Sequence, residues 1–138
     1  PQPSKARKAP RQTKTAKKRL LKERLSDRSE VVLDSHAHMD KYAQKDSVSL
    51  IMFNLGYLPG GDHSLSTKAD TTIEALEKGL NLLHEGGMIS LLIYEEKKQV
   101  LAWLRELPYD KYTVLVEAFY NKPNNPPLPV YILKNETA

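Results

Sequence analysis

The chain has 138 residues, no cysteine and a formal net charge of +4 at pH 7. The lack of cysteine excludes disulfide bonds, a thiolate nucleophile and zinc sites built from cysteine. The length is that of one domain with a buried core, and no apolar run approaches the roughly 18 residues of a membrane span, so we expect a soluble, cytoplasmic protein without a membrane partner.

The positive charge is concentrated near the N-terminus. Residues 1–28 contain 11 of the 21 Lys and Arg residues and two acidic residues, a net charge of +9. The other 110 residues contain 10 basic and 15 acidic side chains, a net charge of −5. Such a basic segment favours binding to a polyanion such as nucleic acid. Residues 1–14 hold three prolines and no large apolar side chain. We therefore expect residues 1–14 to be a disordered basic segment or a remnant, and residues 15–138 to form a single domain.

One helix and two strands are predicted in the first part of this domain. Apolar residues recur at helical spacing from Thr15 to about Ser26, with Ala16, Leu20, Leu21 and Leu25 near one face. Continuous apolar runs predict strands at residues 30–34 and 49–54, with a helical turn at residues 39–43 between them.

The first predicted strand ends in Asp34-Ser35-His36-Ala37-His38. Alternate residues of an extended segment point the same way, so His36 and His38 could bind one metal ion. The segment resembles the opening of TatD-type metal-dependent nucleases. Those barrels need roughly 250 residues and further ligands, which a chain of this length does not offer. A metal-dependent nuclease is therefore kept as an alternative, and the main interpretation has no metal.

The second predicted strand delivers a polar loop, residues 54–62, to the edge of a sheet. In open α/β sheets, ligands bind beyond the carboxyl ends of the strands. Asn54 can donate and accept hydrogen bonds, Gly56 permits close approach of the backbone, and Tyr57 offers an aromatic face with a polar tip. This loop is the predicted functional site.

The second half of the chain alternates helices and strands. Thr67 begins a sequence typical of a capping box, and glycines 86 and 87 are predicted to end the helix that follows it. The later predicted elements are a strand at 88–94, a helix at 95–107, and a hairpin of strands 113–120 and 130–133. This order predicts an α/β fold with a mostly parallel sheet and a C-terminal antiparallel hairpin.

Several ordered motifs resemble one family of proteins. They are Phe53-Asn54-Leu55-Gly56-Tyr57-Leu58-Pro59-Gly60-Gly61-Asp62, Thr71-Thr72-Ile73-x-Ala75-Leu76, Gly86-Gly87-x-Ile89-Ser90, Tyr94 and Asn124-Asn125-Pro126-Pro127. Together they resemble the putative rRNA methylase family of Rossmann-type methyltransferases, over about residues 15–134. The resemblance implies a Rossmann-like methyltransferase sheet, S-adenosylmethionine as cofactor and tRNA as partner. It also implies N-methylation of the 5-aminomethyl group of wobble 2-thiouridine.

The resemblance also implies roles for individual residues. The implied catalytic residues are Asn54 and Tyr57. The implied cofactor-binding residues are Asp34, Ser35, His36, Asn54, Leu55 and Gly56. The implied substrate-binding residues are Tyr57, Leu58, Pro59, Gly60, Gly61, Asp62, Tyr94, Asn124 and Asn125.

The sequence departs from the family in its first part. No glycine precedes Gly56, so the family's first strands and its Gly-rich cofactor turn are not found. We expect the complete protein to carry these segments. A non-catalytic RNA-binding module of methyltransferase fold is the alternative. An exposed Trp103 and the terminal hairpin favour a homodimer.

Overall fold

A computed structural model of the chain describes residues 10–55, 69–94 and 97–137. The chain divides into two compact units, Pro1–Ser35 and His36–Ala138. The single domain expected from residue 15 to residue 138 stays a prediction.

The first unit contains helix α1, Pro10–Lys22, followed by a 3-10 turn at Ser26–Arg28. The helix begins at Pro10 and not at Thr15, so residues 10–14, which were expected to be disordered, are helical. It ends at Lys22, before the predicted end, because Arg24 adopts a left-handed conformation with φ of 60°. The amide of Leu25 then donates to the carbonyl of Leu20 at 2.8 Å, the closing bond of a Schellman motif.

The strand predicted at residues 30–34 does not form. Residues 30–33 have no regular secondary structure, and the side chains of Val32 and Leu33 are 40% and 50% exposed. An extended segment becomes a strand only when a neighbour takes up its backbone hydrogen bonds. Among the described residues no such neighbour pairs with this segment, so a strong β propensity was not sufficient.

The second unit begins with a 3-10 turn, His36–Lys41, and continues with a four-stranded sheet and two helices. The elements are β1 (Val48–Leu55), α2 (Ala69–Leu82), β2 (Leu83–Ile93), α3 (Lys97–Arg105), β3 (Tyr112–Val116) and β4 (Leu128–Lys134). The strand order is β1-β2-β4-β3. Strands β1 and β2 are parallel, whereas β4 is antiparallel to both β2 and β3. The predicted α/β fold with a C-terminal antiparallel hairpin is confirmed.

The core lies on one face of this sheet. Inward side chains of β2 and β4 pack against the buried faces of α2 and α3. The largest fully buried side chains of these strands and helices are Leu76, Leu83, Ile89, Leu91, Ile93, Val100, Val130 and Ile132. Burying each such side chain contributes about 1.5–3 kcal/mol. On the other face the side chains are half-buried or exposed, and Met52 of β1 is 74% exposed.

The two glycines at 86 and 87 lie inside β2, and the prediction that they end the preceding helix is wrong. Helix α2 ends at Leu82, and the β1–β2 register shifts between Val48 and Leu50 to accommodate extra residues of β2. Gly86 has a φ of +87°, which glycine adopts without strain. A Cβ on Gly87 would lie 2.9 Å from the carbonyl oxygen of His84 and 3.0 Å from that of Val48, so a larger residue would force the backbone to shift there.

The C-terminal end of α2 is capped by groups from two distant segments. The amides of Asp46 and Ser47 donate to the carbonyls of Asn81 and Leu82, at 3.0 and 2.9 Å. The ammonium of Lys134 donates to the carbonyls of Leu80 and Leu83, at 3.0 and 2.8 Å. These bonds satisfy carbonyls that have no partner within the helix, so the chain can turn directly into β2 without a capping glycine.

Trp103 of α3 is half-buried and packs against the core, so it is not the exposed residue on which the homodimer was predicted. The position of Trp103 therefore does not support a homodimer. The homodimer stays a prediction. None of the helices in the described part of the chain is long and apolar enough to span a membrane.

We expect Lys134→Met to lower the free energy of unfolding by about 1–3 kcal/mol, because it leaves two partly buried carbonyls without a donor. The ion pair with Asp46, at 3.2 Å, adds little, since the Asp46 side chain is 57% exposed. Urea unfolding measures the change, with Lys111→Met as the exposed control. Equal stability of the two variants would contradict the capping role.

Candidate functional site

The carboxyl ends of the parallel strands form one row across the sheet. Asn54 of β1 pairs with Leu92 of β2, and Leu92 pairs with Pro129 of β4. The side chain of Asn54 is exposed on the sheet face opposite the one against which the described helices of this unit pack. Its amide is therefore available to a ligand at the position where α/β sheets commonly bind one.

The antiparallel strand β4 brings a second loop to this row. The amide of Glu117, just after β3, donates to the carbonyl of Pro129 at 3.0 Å. Residues 117–127, which connect β3 to β4, consequently lie at the same sheet edge as Asn54. Since neighbouring strands are about 4.8 Å apart, Pro129 is about 10 Å from Asn54 across the sheet.

A cavity of about 380 Å³ opens beside Asn54, on the same sheet face. Its walls combine apolar and hydroxyl-bearing side chains of three strands, including Met52, Ser90, Leu92 and Tyr131. The volume falls within the range of about 300–1,000 Å³ typical of small-molecule sites. The cavity offers apolar contact surface together with a few polar groups, as such sites generally do.

His36 packs against the core side of β1. Its ring meets the ring of Phe53 edge to face, with centroids 6.1 Å apart and planes at 84°. The Nε2 atom is buried and has no hydrogen-bond partner in the described part of the chain. Desolvation by burial lowers the pKa of His36 from its ordinary value, because the charged ring would lose its hydration.

Lys78 of α2 fixes the 3-10 turn that carries His36. Its ammonium donates to the carbonyl of Ala37 at 2.7 Å and lies 3.4 Å from carboxylate oxygens of both Asp40 and Glu74. Desolvation tends to lower the pKa of Lys78, but the hydrogen bond to Glu74 and the charge of Asp40 outweigh it and raise the pKa. The lysine thus stays charged and joins the turn to the helix.

The predicted metal arrangement of His36 and His38 does not form. These residues lie in a 3-10 turn rather than in an extended segment, and only His36 is turned toward Phe53. Alternate residues of such a turn do not share a face. The described residues contain no group of three or more His, Asp or Glu side chains placed to hold a metal ion. The geometric basis of the nuclease alternative is therefore wrong.

Comparison with known proteins identifies the family. The chain matches the family described as "Putative rRNA methylase" over residues 10–133. This chain belongs to that family.

Relatives and solved structures agree with the assignment. The chain is 36% identical over 109 residues to "tRNA (mnm(5)s(2)U34)-methyltransferase, chloroplastic" of Arabidopsis thaliana, spanning 73% of this chain and 39% of that protein. It is 44% identical to a putative rRNA methylase of Clostridium thermocellum, with a TM-score of 0.79. It is 32% identical to a putative methyltransferase of Streptococcus mutans solved with SAH, with a TM-score of 0.77. Each of these two alignments covers 86% of this chain and 67% of the other. The chain thus spans well under half of its curated relative.

The structure describes only some of the other site residues that were predicted from the sequence. Tyr94 is half-buried just after β2, and Asn124 and Asn125 lie in the loop at the same edge as Asn54. Asp34 and Ser35 belong to the first unit, where the amide of Ser35 donates to Oδ1 of Asp34 at 2.7 Å. The remaining predicted site lies outside the described residues: Gly56, Tyr57, Leu58, Pro59, Gly60, Gly61, Asp62 and the side chain of Leu55.

Sequence reasoning missed Ser90, Tyr131 and Lys78. The alternation along β2 and β4 could have assigned Ser90 and Tyr131 to the face opposite the core, since both are flanked by buried residues. Lys78 had no such signal, because its partners Ala37 and Asp40 are about forty positions away in the sequence.

We expect Lys78→Met to loosen the 3-10 turn without unfolding the protein, because the carbonyl of Ala37 and the carboxylate of Asp40 lose their cation. Hydrogen exchange should quicken in residues 36–41 more than in β2. Lys45→Met, which removes an exposed lysine nearby, is the matched control. Unchanged exchange in the turn of Lys78→Met would show that other contacts hold it.

Burial of His36 predicts a dependence of stability on pH. Because the folded-state pKa is lowered, the unfolded state binds more protons, and stability rises with pH. Stability should therefore fall as the pH drops through about 6.5, the ordinary value of histidine, and level off below the folded-state pKa. Urea unfolding at a series of pH values between 5 and 8 measures how the free energy of unfolding changes as histidine titrates. His36→Phe should flatten the dependence, whereas His38→Gln should retain it.

Proposed function

We propose that this chain is part of an S-adenosylmethionine-dependent RNA methyltransferase. The substrate we propose is tRNA, and the group methylated is the 5-aminomethyl substituent of wobble 2-thiouridine. Family membership, the name of the Arabidopsis relative and the SAH complex of the Streptococcus protein support this proposal. The observation that carries it is the exposed amide of Asn54 at the carboxyl end of β1, beside a cavity of about 380 Å³.

The polar groups beside Asn54 suit part of S-adenosylmethionine. The cavity beside Asn54 combines the hydroxyls of Ser90 and Tyr131 with apolar walls, which suits a ligand that is itself partly polar. We propose that Asn54 contacts the cofactor here and that Asp34, with Ser35 and His36, contacts its adenosine part. Leu55 and Gly56 complete the proposed cofactor-binding set.

The chemistry requires little covalent help from the protein. When bound, the cofactor supplies an electrophilic methyl group. The lone pair of the substrate amine forms the new N–C bond while the S–C bond breaks, SAH leaves as a neutral thioether, and the surplus proton of the amine passes to water. The protein must hold the amine unprotonated and aligned, and such positioning accounts for much of the rate in reactions of this kind.

Asn54 is the residue that we propose for this alignment. Its side-chain oxygen accepts one hydrogen of the amine, and the carbonyl of Leu55 accepts the other, which directs the lone pair toward the methyl group. Tyr57 stacks on the uracil ring or faces the sulfonium in this proposal. The substrate-binding residues that we propose in addition are Leu58, Pro59, Gly60, Gly61, Asp62, Tyr94, Asn124 and Asn125.

We expect Asn54→Ala to reduce the rate of methyl transfer to tRNA by about 10²–10³-fold, the usual effect of removing one aligned hydrogen-bonding group at a reaction centre. Calorimetric titration should show that S-adenosylmethionine still binds Asn54→Ala within about tenfold of the wild-type affinity. Asp34→Ala should instead lose cofactor binding. Asn81→Ala, which alters an exposed amide on α2, is the control.

The two measurements separate the outcomes. Equal rates for Asn54→Ala and Asn81→Ala would remove Asn54 from the reaction. If the complete protein bound tRNA but no S-adenosylmethionine, the non-catalytic RNA-binding module would replace the enzyme as the proposed function. The basic helix α1 would then be its leading contact with RNA, since Lys14, Lys17, Lys18 and Lys22 are exposed on it.

A further inference from the structure

The loop from β3 to β4, residues 117–127, displays two aromatic side chains to solvent; we name it the aromatic loop. Tyr120 is fully exposed, at 104% of the reference area, and Phe119 is 41% exposed. Aromatic rings are among the largest sources of burial energy in a protein, so a ring that remains fully exposed contributes nothing to the core. Single exposed rings are common, whereas exposed apolar side chains that are adjacent, as Phe119 and Tyr120 are, are more typical of interaction sites.

A cation accompanies these rings. The ammonium of Lys122 lies 4.4 Å from the centroid of the Phe119 ring, within the range of a cation–π contact. The loop therefore presents a free aromatic face and a positive charge within three residues of each other. Proteins that bind single-stranded nucleic acid combine these two groups, because bases stack on the ring and phosphates pair with the cation.

The backbone of the aromatic loop is held in a defined shape. Asn124 and Asn125 have φ values of 63° and 51°, a left-handed pair that asparagine tolerates better than most residues. Pro126 and Pro127 then fix the chain before β4 begins. At the other end, the hydrogen bond that the amide of Glu117 donates to the carbonyl of Pro129 continues the β3–β4 ladder. The rings are thus presented from a loop with both ends fixed, which lowers the entropy cost of binding.

The aromatic loop lies at the same edge of the sheet as Asn54. Three strand spacings separate β1 from β3, so Glu117 is about 14 Å from Asn54 across the sheet. A few nucleotides of extended RNA can cover that distance. A nucleotide with its reacting amine at Asn54 would therefore place its neighbours within reach of Tyr120.

We propose that the aromatic loop is an RNA-binding platform on which Tyr120 stacks a base next to the methylated nucleotide and Lys122 contacts the phosphate backbone. The proposal rests on the proposed function, since it takes RNA as the substrate. It adds two contacts, Tyr120 and Lys122, to the substrate-binding residues above. It also explains why the loop has an exposed ring at the reactive edge of the sheet.

The test measures binding of an anticodon stem-loop RNA to the full chain. Tyr120→Ala should weaken binding about tenfold, whereas Tyr120→Phe should bind within about twofold of wild type, because stacking needs only the ring. Tyr109→Ala is the matched control. Tyr109 is 92% exposed and precedes β3, so it lies at the opposite edge of the sheet. It should leave RNA binding unchanged.

Salt dependence tests the proposed role of Lys122. Lys122→Ala should reduce the slope of log K against log salt by about 0.7–0.9, the release expected for one lost phosphate contact. Tyr120→Ala should leave the slope unchanged, since a stacked ring releases no counterion. Unchanged slope in Lys122→Ala would overturn the phosphate contact.

The remaining outcomes distinguish this proposal from the proposed function. Wild-type RNA affinity in Tyr120→Ala, or an equal loss in Tyr109→Ala, would overturn the platform while cofactor binding and methyl transfer continued. Failure of the wild-type chain to bind RNA would overturn the platform, and calorimetry with S-adenosylmethionine would then show whether a methyltransferase of another substrate remains. A change of oligomeric state in Tyr120→Ala with unchanged RNA binding would assign the loop to protein contacts instead.

Discussion

The capped end of α2 is the interaction on which the rest of the second unit depends. A helix ends with carbonyls that need donors, and here the donors come from Asp46 and Ser47, just before β1, and from Lys134, at the end of β4. The same bonds that finish the helix therefore fix where β1 begins and where β4 ends. Since β2 follows α2 without an intervening loop, all three strands are positioned from one point.

That positioning determines which residues meet at the opposite edge of the sheet. With β1 and β2 parallel and starting together, Asn54 lies beside Leu92, and the antiparallel β4 begins on the other side of Leu92. The extra residues of β2 around Gly86 and Gly87 are taken up near the capped end, before the regular register starts at Leu50. The irregular part of the sheet is thus kept away from Asn54, and the cavity beside it is walled by regular strands.

The elements that the sequence predicted well are those with strong local patterns and a neighbour to pair with. The apolar run in β2, the amphipathic α3 and the C-terminal hairpin were confirmed, with boundaries that moved by a few residues. The run at residues 30–34 was as apolar as a strand but found no partner among the described residues. Gly86 and Gly87 were wrongly predicted to end a helix, because the sequence could not distinguish a helix end from an irregular strand. Both errors concern pairing between distant segments, which local propensity does not contain.

The candidate site divides in the same way. Asn54 could be predicted, because an apolar strand that ends in a polar residue marks the edge where ligands bind. The alternative that paired His36 with His38 on a metal was wrong, since the two residues do not share a face and the His36 ring turns toward Phe53. The cofactor-binding role that the resemblance implies for His36 stays a prediction. Lys78 depends on packing between elements and left no local signal, whereas the alternation along β4 could have placed Tyr131 on the face opposite the core. Under the proposed function, reaction and recognition are separate: Asn54, on a rigid strand, is the residue proposed to align the amine, and the loop at residues 117–127 is the proposed RNA contact, which can vary without disturbing that strand.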